Sequence, residues 1–245
     1  MLVKLENPLV LLKAIELVSE LVTEVRIKIN EFGLSISAMD PANVAMVGFK
    51  LPKSAFSEFE SDNEDLGVNL DNLKRILKRC GTKSSLFLER KENLLEIRIE
   101  DRVRRNFSLS LIEIEAEEIE FDEKIGRMEF TSKVEIDSSD FIASVEDCAV
   151  VSDACSFVIK EGKFIIESKG LNSAMSEFSG DEAKIEAEDC KSRFSLEYLQ
   201  KFIKGAKIVD KTILNFANEH PLKVDFKNEH MSLSFILAPR METND

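Results

Sequence analysis

The chain has 245 residues, of which 44% are hydrophobic and 32% charged, and its formal net charge is −13. A chain of this length can bury a substantial core as one large domain or as two smaller ones. No apolar run approaches the ~18 residues that a membrane span needs. Lys4, Glu6 and Pro8 interrupt the N-terminal segment, so we expect no signal peptide.

Net charge bears on solubility and non-specific association, and it leaves open where the cations lie. The cysteines Cys80, Cys148, Cys155 and Cys190 show no CxxC spacing, so we expect reduced thiols rather than disulfides or zinc. The two histidines are isolated in the sequence, and no Gly-rich phosphate loop or catalytic constellation stands out. We therefore expect no enzyme, no cofactor and no metal site.

The first half of the chain alternates between short strands and two helices. Its first helix opens at Pro8, a residue favoured at the first helical position, and runs to about Val22. Its second helix occupies Val68–Cys80. Alternation of apolar and polar residues predicts strands at Lys4–Glu6, Glu24–Ile29, Gly33–Ala38, Val44–Leu51, Ser85–Arg90, Leu94–Glu100 and Val103–Ile112.

The helix Val68–Cys80 has an apolar stripe and a cationic outer face. Asn69 is its predicted N-cap, because its side chain can accept from a free amide of the first turn. Gly81 is predicted to end it in a left-handed conformation. The cations opposite the stripe are Arg75 and Lys78, flanked by Lys74 and Arg79.

A helix at Phe194–Ala206 repeats this arrangement near the other end of the chain. Ser195 is its predicted N-cap, and Lys201 and Lys204 lie opposite its apolar stripe. One such helix is usually only a solvated face, but the repetition favours a shared anionic partner.

The second half of the chain repeats the first after Glu113–Arg127, an acidic and weakly periodic segment that we interpret as a linker. A helix capped by Ser138 or Ser139 runs to about Val150. Strands are predicted at Met128–Ile136, Cys155–Ile159, Lys163–Ser168, Ser173–Ser179, Thr212–Ala217, Leu222–Lys227 and Met231–Leu237. Matches at one offset indicate a tandem repeat: Gly33 with Gly162, Met46 with Met175, and Phe49 with Phe178.

These elements predict an α+β fold of two tandem repeated domains, 1–112 and 128–245, joined by a connecting loop at 113–127. Strands that alternate between apolar and polar residues are typical of antiparallel sheets. Each domain would carry two helices on one side of its sheets. The sheets would then lie outside, with the helices and their basic faces on the inner side.

The chain resembles the archaeal and eukaryotic sliding clamp family, proliferating cell nuclear antigen. The likeness is carried by VNLDNLKRILK (Val68–Lys78), GLSISAMDPANVAMV (Gly33–Val47), the linker, and FILAPR (Phe235–Arg240). It implies a DNA clamp, a ring of three identical or related chains that encircles duplex DNA in an archaeal cytoplasm. It also implies a processivity factor that meets a clamp loader and tethers DNA polymerase, flap endonuclease and DNA ligase.

The resemblance implies two sets of site residues. The DNA-facing set is Arg75, Lys78, Lys201 and Lys204, with Lys13, Lys74, Arg79 and Lys207 near the hole. The partner groove is formed by Met39, Asn43, Val44, Met46, Ile125, Pro221, Ile236, Ala238 and Pro239.

Two features depart from the family pattern. The third helix carries Asp140, Glu146 and Asp147 outward where the family has basic residues, so we do not expect it to contact phosphate. The linker has Glu123 where an apolar groove residue is common, and Phe121 is a candidate substitute.

From the residues alone, three functions stay open. The first is a ring that slides on duplex DNA through sequence-blind phosphate contacts. The second is an acidic protein-binding scaffold without DNA encirclement. The third is an enzyme acting on nucleic acid, which the lack of nucleophile and metal-ligand clusters disfavours. Retention on circular but not linear DNA separates the first from the others.

Ring closure is predicted to be head-to-tail, because a heterologous contact that closes by rotation gives a cyclic oligomer. Strand addition between an edge at Ser173–Ser179 and another at Arg105–Ile112 would remove two exposed edges. A Phe107→Pro change, which removes a ladder donor, is expected to give monomers. The residues near the second edge that could form ion pairs across the joint are Arg102, Arg104 and Arg105. The acidic residue expected opposite them is Glu177.

Overall fold

A computed structural model describes residues 1–115 and 119–241. The chain forms two compact units. Unit 1 consists of Met1–Pro41, Val47–Phe121 and Glu229–Leu233, and unit 2 consists of Ala42–Met46, Asp122–Asn228 and the residues from Ser234 on. The domain limits 1–112 and 128–245 and the connecting loop 113–127 stay a prediction. Residues 116–118 of the loop and 242–245 of the second domain lie outside the described residues.

Unit 1 contains two antiparallel runs of strands and two α-helices. Its strands are β1 (Leu2–Leu5), β2 (Glu24–Asn30), β3 (Gly33–Met39), β4 (Ala45–Pro52), β5 (Glu58–Glu60), β6 (Glu64–Asn69), β7 (Ser85–Lys91), β8 (Leu94–Glu100) and β9 (Arg104–Ser110). Its helices are α1 (Pro8–Val18) and α2 (Leu70–Leu77). Neighbouring strands follow the orders β5-β1-β7-β8-β9 and β4-β3-β2-β6.

Helix α1 has Pro at its start, as predicted, but ends at Val18 rather than near Val22. The hydroxyl of Ser19 donates to the Glu16 carbonyl at 2.7 Å. Serine near a helix end competes in this way with the backbone ladder. The chain then turns into β2, and the side chains that α1 buries are Pro8, Leu11, Ala14, Ile15, Leu17 and Val18.

Two strands of unit 1, β5 and β6, were not predicted; they lie between β4 and α2. Strand β6 pairs antiparallel with β2, and only its Leu66 and Val68 are buried, which is too short an alternation to recognise. Because Val68 belongs to this strand, α2 begins later than predicted. The left-handed conformation expected at Gly81 is also wrong, since only Gly33 and Gly162 have positive φ among the glycines that the structure describes.

Position 33, at the start of β3, requires a glycine. Its φ is +135°, and a Cβ there would lie 2.2 Å from the Leu51 carbonyl oxygen. A substitution would therefore meet both backbone strain and a backbone clash. In the second hairpin Gly162 is a turn residue with φ +74°, so the Gly33–Gly162 match of the repeat is displaced by one structural position.

Gly33→Ala is expected to lower the free energy of unfolding by about 2–4 kcal/mol, because strain and clash add. Gly162→Ala is the matched control: a Cβ there meets nothing within 4 Å, so only the left-handed conformation opposes it, at about 1–2 kcal/mol. Equal losses in the two variants, measured by denaturant unfolding, would contradict the clash at Gly33.

The short helix α3 (Phe121–Gly126) lies within the segment expected to be an irregular linker. Unit 2 then contains the strands β10 (Ser132–Asp137), β11 (Ala154–Lys160), β12 (Lys163–Lys169), β13 (Ser173–Phe178), β14 (Ala183–Ala187), β15 (Cys190–Ser195), β16 (Lys211–Phe216), β17 (Leu222–Lys227) and β18 (Ser232–Leu237). Its helices are α4 (Ser138–Val151) and α5 (Leu196–Ala206). Strand neighbours follow the orders β14-β10-β16-β17-β18 and β13-β12-β11-β15.

The core of unit 2 is aromatic. The Phe157 ring makes edge contacts with the rings of Phe141, Phe164, Phe194 and Phe216, with centroids 5.3–6.3 Å apart. These residues come from α4, β11, β12, β15 and β16, so one cluster joins a helix to both sheets. The predicted α+β class with antiparallel sheets is confirmed, although β14 and β15 were missed.

Candidate nucleic-acid and partner interfaces

Helix α2 has the predicted amphipathic geometry. The Asn72 amide donates to Asn69 Oδ1 at 3.1 Å, so Asn69 is the N-cap. Leu70, Leu73 and Leu77 are fully buried. The cations Arg75, Lys78 and Arg79 are exposed, and Lys74 is half-buried.

Two of these cations lie beside carboxylates. Lys74 Nζ is 2.9 Å from Asp71 Oδ1, and this contact holds the pKa of the Asp71 carboxyl below its usual value. Lys78 Nζ is 3.4 Å from Glu16 Oε1 on α1. Ion pairs at the surface contribute little to stability, because solvent screens them. The ammonium groups can therefore exchange these partners for another anion at little cost.

Helix α5 presents the second cationic face. The apolar residues of its stripe are buried, while Lys204 and Lys207 are exposed. Lys201 Nζ lies 3.4 Å from Glu197 Oε1 and 4.9 Å from the centroid of the Tyr198 ring. Ser195 occupies the N-cap position, but its side chain makes no capping hydrogen bond.

The remaining helices are less basic. Lys13 is exposed on α1, where Glu16 is an acidic neighbour, and Glu20 follows just after the end of the helix. On α4 the three predicted acids, Asp140, Glu146 and Asp147, are all exposed. The N-cap of α4 is Asp137 and makes no side-chain cap bond, so the capping role predicted for Ser138 or Ser139 is wrong.

Most of the predicted groove residues belong to unit 2, and two of them are joined by a backbone hydrogen bond. The Ala238 amide donates to the Val44 carbonyl at 2.9 Å, which joins the segment before β4 to the end of β18. Val44, Ala238 and Pro239 are half-buried, and Asn43 is exposed in a left-handed conformation with φ 57°. Ile125 and Pro221 are also half-buried in this unit.

Two predicted groove residues are not accessible. Met46 and Ile236 are each only 4% exposed. Alternation would leave one face of each strand open, but Ala45–Phe49 and Leu233–Leu237 are buried without interruption. The expectation that these two side chains form an exposed cluster is therefore wrong, and their contact with a partner stays a prediction.

Phe121 is likewise unavailable as a substitute groove residue. It is 4% exposed, and its ring lies against Gly48 of β4, where a Cβ would be 2.4 Å from the ring. Met39 is half-buried in unit 1 and lines a cavity of about 120 Å³ with the linker residues Ile114 and Ile119.

All four cysteines are free and buried. Burial raises the pKa of the Cys80 thiol to about 11, whereas a hydrogen bond from Cys155 lowers the pKa of Cys148 to about 7. In the part of the chain that the structure describes, no three His, Cys, Asp or Glu side chains are grouped to hold a metal ion. No helix among these residues is long and apolar enough to cross a membrane.

Comparison with known proteins gives consistent matches. Residues 1–121 match the family model "Proliferating cell nuclear antigen, N-terminal domain", and residues 124–241 match the C-terminal domain model. A "DNA polymerase sliding clamp" of Thermococcus onnurineus is 38% identical, with 91% of this chain and 92% of the relative covered. That of Pyrococcus abyssi is 36% identical, with 93% of each chain covered.

Solved structures agree in fold. The Proliferating Cellular Nuclear Antigen of Entamoeba histolytica superposes with a TM-score of 0.89 at 23% identity, covering 98% of each chain. A chain of the PCNA2-PCNA3 complex of Sulfolobus tokodaii gives 0.87 at 25% identity, covering 99% of this chain and 100% of that one.

Proposed function

As a member of the proliferating cell nuclear antigen family, the chain is a DNA polymerase sliding clamp, and we propose that three copies close head-to-tail around duplex DNA. The observation that carries this proposal is the outward cationic face of α2, repeated on α5. Contacts from Lys and Arg to phosphates position a protein without reading bases. Such contacts allow sliding, because no base sequence is preferred.

The test is retention on DNA of different topology. A closed ring loaded onto circular duplex DNA stays bound, and linearising the DNA releases it. The alternative, an acidic scaffold without encirclement, predicts no difference between circular and linear DNA. Loss of that difference would therefore favour the alternative over the ring.

The proposed joint uses two edge strands. Strand β9 ends one sheet of unit 1, and β13 ends one sheet of unit 2. Val103 beside β9 and Met175 on β13 are 56% and 64% exposed, which supplies apolar surface at both edges. Three identical chains, or this chain with related ones, could close the ring, and native mass measurement of the purified chain distinguishes the two.

The proposed partners are the clamp loader, DNA polymerase, flap endonuclease and DNA ligase. They would dock short peptides with one aliphatic and two aromatic anchors on a helical turn, at micromolar affinity or about −8 kcal/mol. A clamp of this kind acts on chromosomal DNA, so in an archaeal cell we place it in the cytoplasm. The protein itself would supply no chemistry.

The groove is tested at its accessible residues. Ile125→Asp and Val44→Asp are each expected to weaken binding of such a peptide at least about tenfold, because a carboxylate would be desolvated against apolar anchors. Phe32→Asp is the control, since Phe32 is 76% exposed in the β2–β3 turn outside the proposed groove. Unchanged affinity in both groove variants, measured by calorimetry, would place the peptide elsewhere.

A further inference from the structure

The sheet run β4-β3-β2-β6 has an outer face that is mostly built from small and polar residues. Its core face carries Val47, Ile27 and Val68, each at most 3% exposed. By alternation the other face carries Met39 at the end of β3 and Met46 at the start of β4, and elsewhere side chains that are small or polar. In strand order these are Gly48 on β4, Ser35 and Ser37 on β3, Arg26 and Lys28 on β2, and Gly67 on β6.

The described residues 112–115 and 119–121 lie on this outer face, and the first of them are bound at β6 and β2. The Ile112 amide donates to the Gly67 carbonyl at 2.9 Å. A Cβ at position 67 would lie 2.0 Å from the Ile112 oxygen, so the glycine is what allows this approach. Arg26, the cross-strand neighbour of Gly67, donates from Nη2 to the Ile114 carbonyl.

The end of this segment is bound at β2 and β4. Lys28 Nζ is 2.7 Å from Glu120 Oε1. One residue later, the Phe121 ring occupies the space that the missing side chain of Gly48 leaves. We call the described residues 112–115 and 119–121 the strap. Its contacts extend from β6 across β2 to β4, that is, from one side of this four-strand run to the other.

The glycine at position 67 is not a requirement of the repeated fold. In unit 2 the equivalent strands β11 and β15 pair Ser156 with Arg193, where unit 1 pairs Arg26 with Gly67. The chain after β18 makes a hydrogen bond that corresponds to the one between Ile112 and Gly67. Here the Arg240 amide donates to the Arg193 carbonyl at 2.7 Å. Arginine is therefore tolerated at this register position in unit 2, so the glycine and the cation in unit 1 serve the strap.

We propose that Arg26, Lys28, Gly48 and Gly67 are positioning residues for partner binding. They fix the strap, and the strap fixes the start of α3, because Phe121 is the first residue of that helix. Ile125, a residue of the proposed groove, lies in the same short helix, so ordering the first residue of α3 also orders the helix that presents Ile125. Holding a binding segment in place before the partner arrives lowers the ordering cost of binding. This inference rests on the proposed function.

The first test disturbs the strap through packing. Gly48→Ala forces the Phe121 ring to move, and it is expected to weaken binding of the peptide with aliphatic and aromatic anchors about tenfold or more. Amides of residues 119–126 should exchange faster with solvent in this variant. Gly126→Ala is the control, because a Cβ there meets nothing within 4 Å. Affinity and exchange both unchanged in Gly48→Ala would overturn the proposal.

The second test reverses a charge in a surface ion pair, so it leaves the packing of the core unchanged. Lys28→Glu replaces attraction to Glu120 with repulsion, and it should weaken the peptide about two- to fivefold, as expected for an exposed pair. The double exchange Lys28→Glu with Glu120→Lys should restore affinity. Lys91→Glu, in an exposed pair with Glu89, is the control. If the double variant does not regain affinity for the peptide, the contact between Lys28 and Glu120 does not act as proposed.

DNA retention separates this inference from the proposed function. The strap variants should remain trimers and stay on circular DNA as the unaltered protein does. If the unaltered protein itself is not retained, the proposed function fails, while a change of peptide affinity in the strap variants would still support the inference. If retention is normal and the strap variants bind peptide normally, the inference alone fails.

Discussion

Reversing Arg75, Lys78, Lys201 and Lys204 to glutamate is expected to abolish retention on closed circular DNA while leaving the protein folded. Arg75, Lys78 and Lys204 are exposed, and the apolar stripes on the opposite sides of α2 and α5 carry the packing. Lys78 and Lys201 lose surface pairs with Glu16 and Glu197, and Lys201 also loses its contact with the Tyr198 ring, so little stability is at risk beside that of the buried stripes.

The salt dependence of binding gives the magnitude. Each phosphate contact changes the slope of log K against log salt by about 0.9, so the loss of four contacts in each chain should reduce the magnitude of the slope by about 3.6 for every chain of the ring. The matched control replaces Asp140, Glu146 and Asp147 of α4 with alanine. An equal loss of retention in that control would place α4 at the DNA and contradict the assignment to α2 and α5.

The sequence predicted the elements whose pattern is long and repeated. Helices α2 and α5 were located because eleven to thirteen residues keep one apolar stripe, and the repetition supported the interpretation. Strands β6 and β15 were missed because each runs without a break into the helix that follows it, and the predicted helices began inside these strands, at Val68 and Phe194. In β6 the position between Leu66 and Val68 is a glycine, which removes the polar half of the alternation.

The groove was harder to predict than the helices. An alternating pattern predicts a strand with one buried and one open face. Met46 and Ile236 instead lie in strands that are buried on both faces. A second covering layer comes from parts of the chain that are remote in sequence. The Arg26–Ile114 hydrogen bond joins residues 88 apart, and no local pattern around Arg26 indicates it. Propensity and spacing therefore locate elements well but do not show what lies over them.

The proposed ring joint depends on which amides of β9 point outward. The Leu111 amide donates to the Asn93 carbonyl at 2.9 Å. Hydrogen-bonded and non-hydrogen-bonded pairs alternate along an antiparallel ladder. The register therefore makes Ile97 and Phe107 a hydrogen-bonded pair and Arg98 and Asn106 a non-hydrogen-bonded pair. The Phe107 amide thus points to β8, and the Asn106 amide points to the free edge.

This register corrects the variant that the sequence suggests. Phe107→Pro would break the β8–β9 ladder inside the chain, so monomers from it would not report on the joint. Asn106→Pro removes an outward donor and is compatible with an edge strand. We expect native mass spectrometry to detect this variant as a monomer. The monomer should stay folded, with an unchanged midpoint of unfolding. Asn106→Ala keeps the amide and should remain a trimer. A trimeric Asn106→Pro protein would show that β9 does not add to a neighbouring strand, since the missing donor and the ring of proline both oppose that pairing.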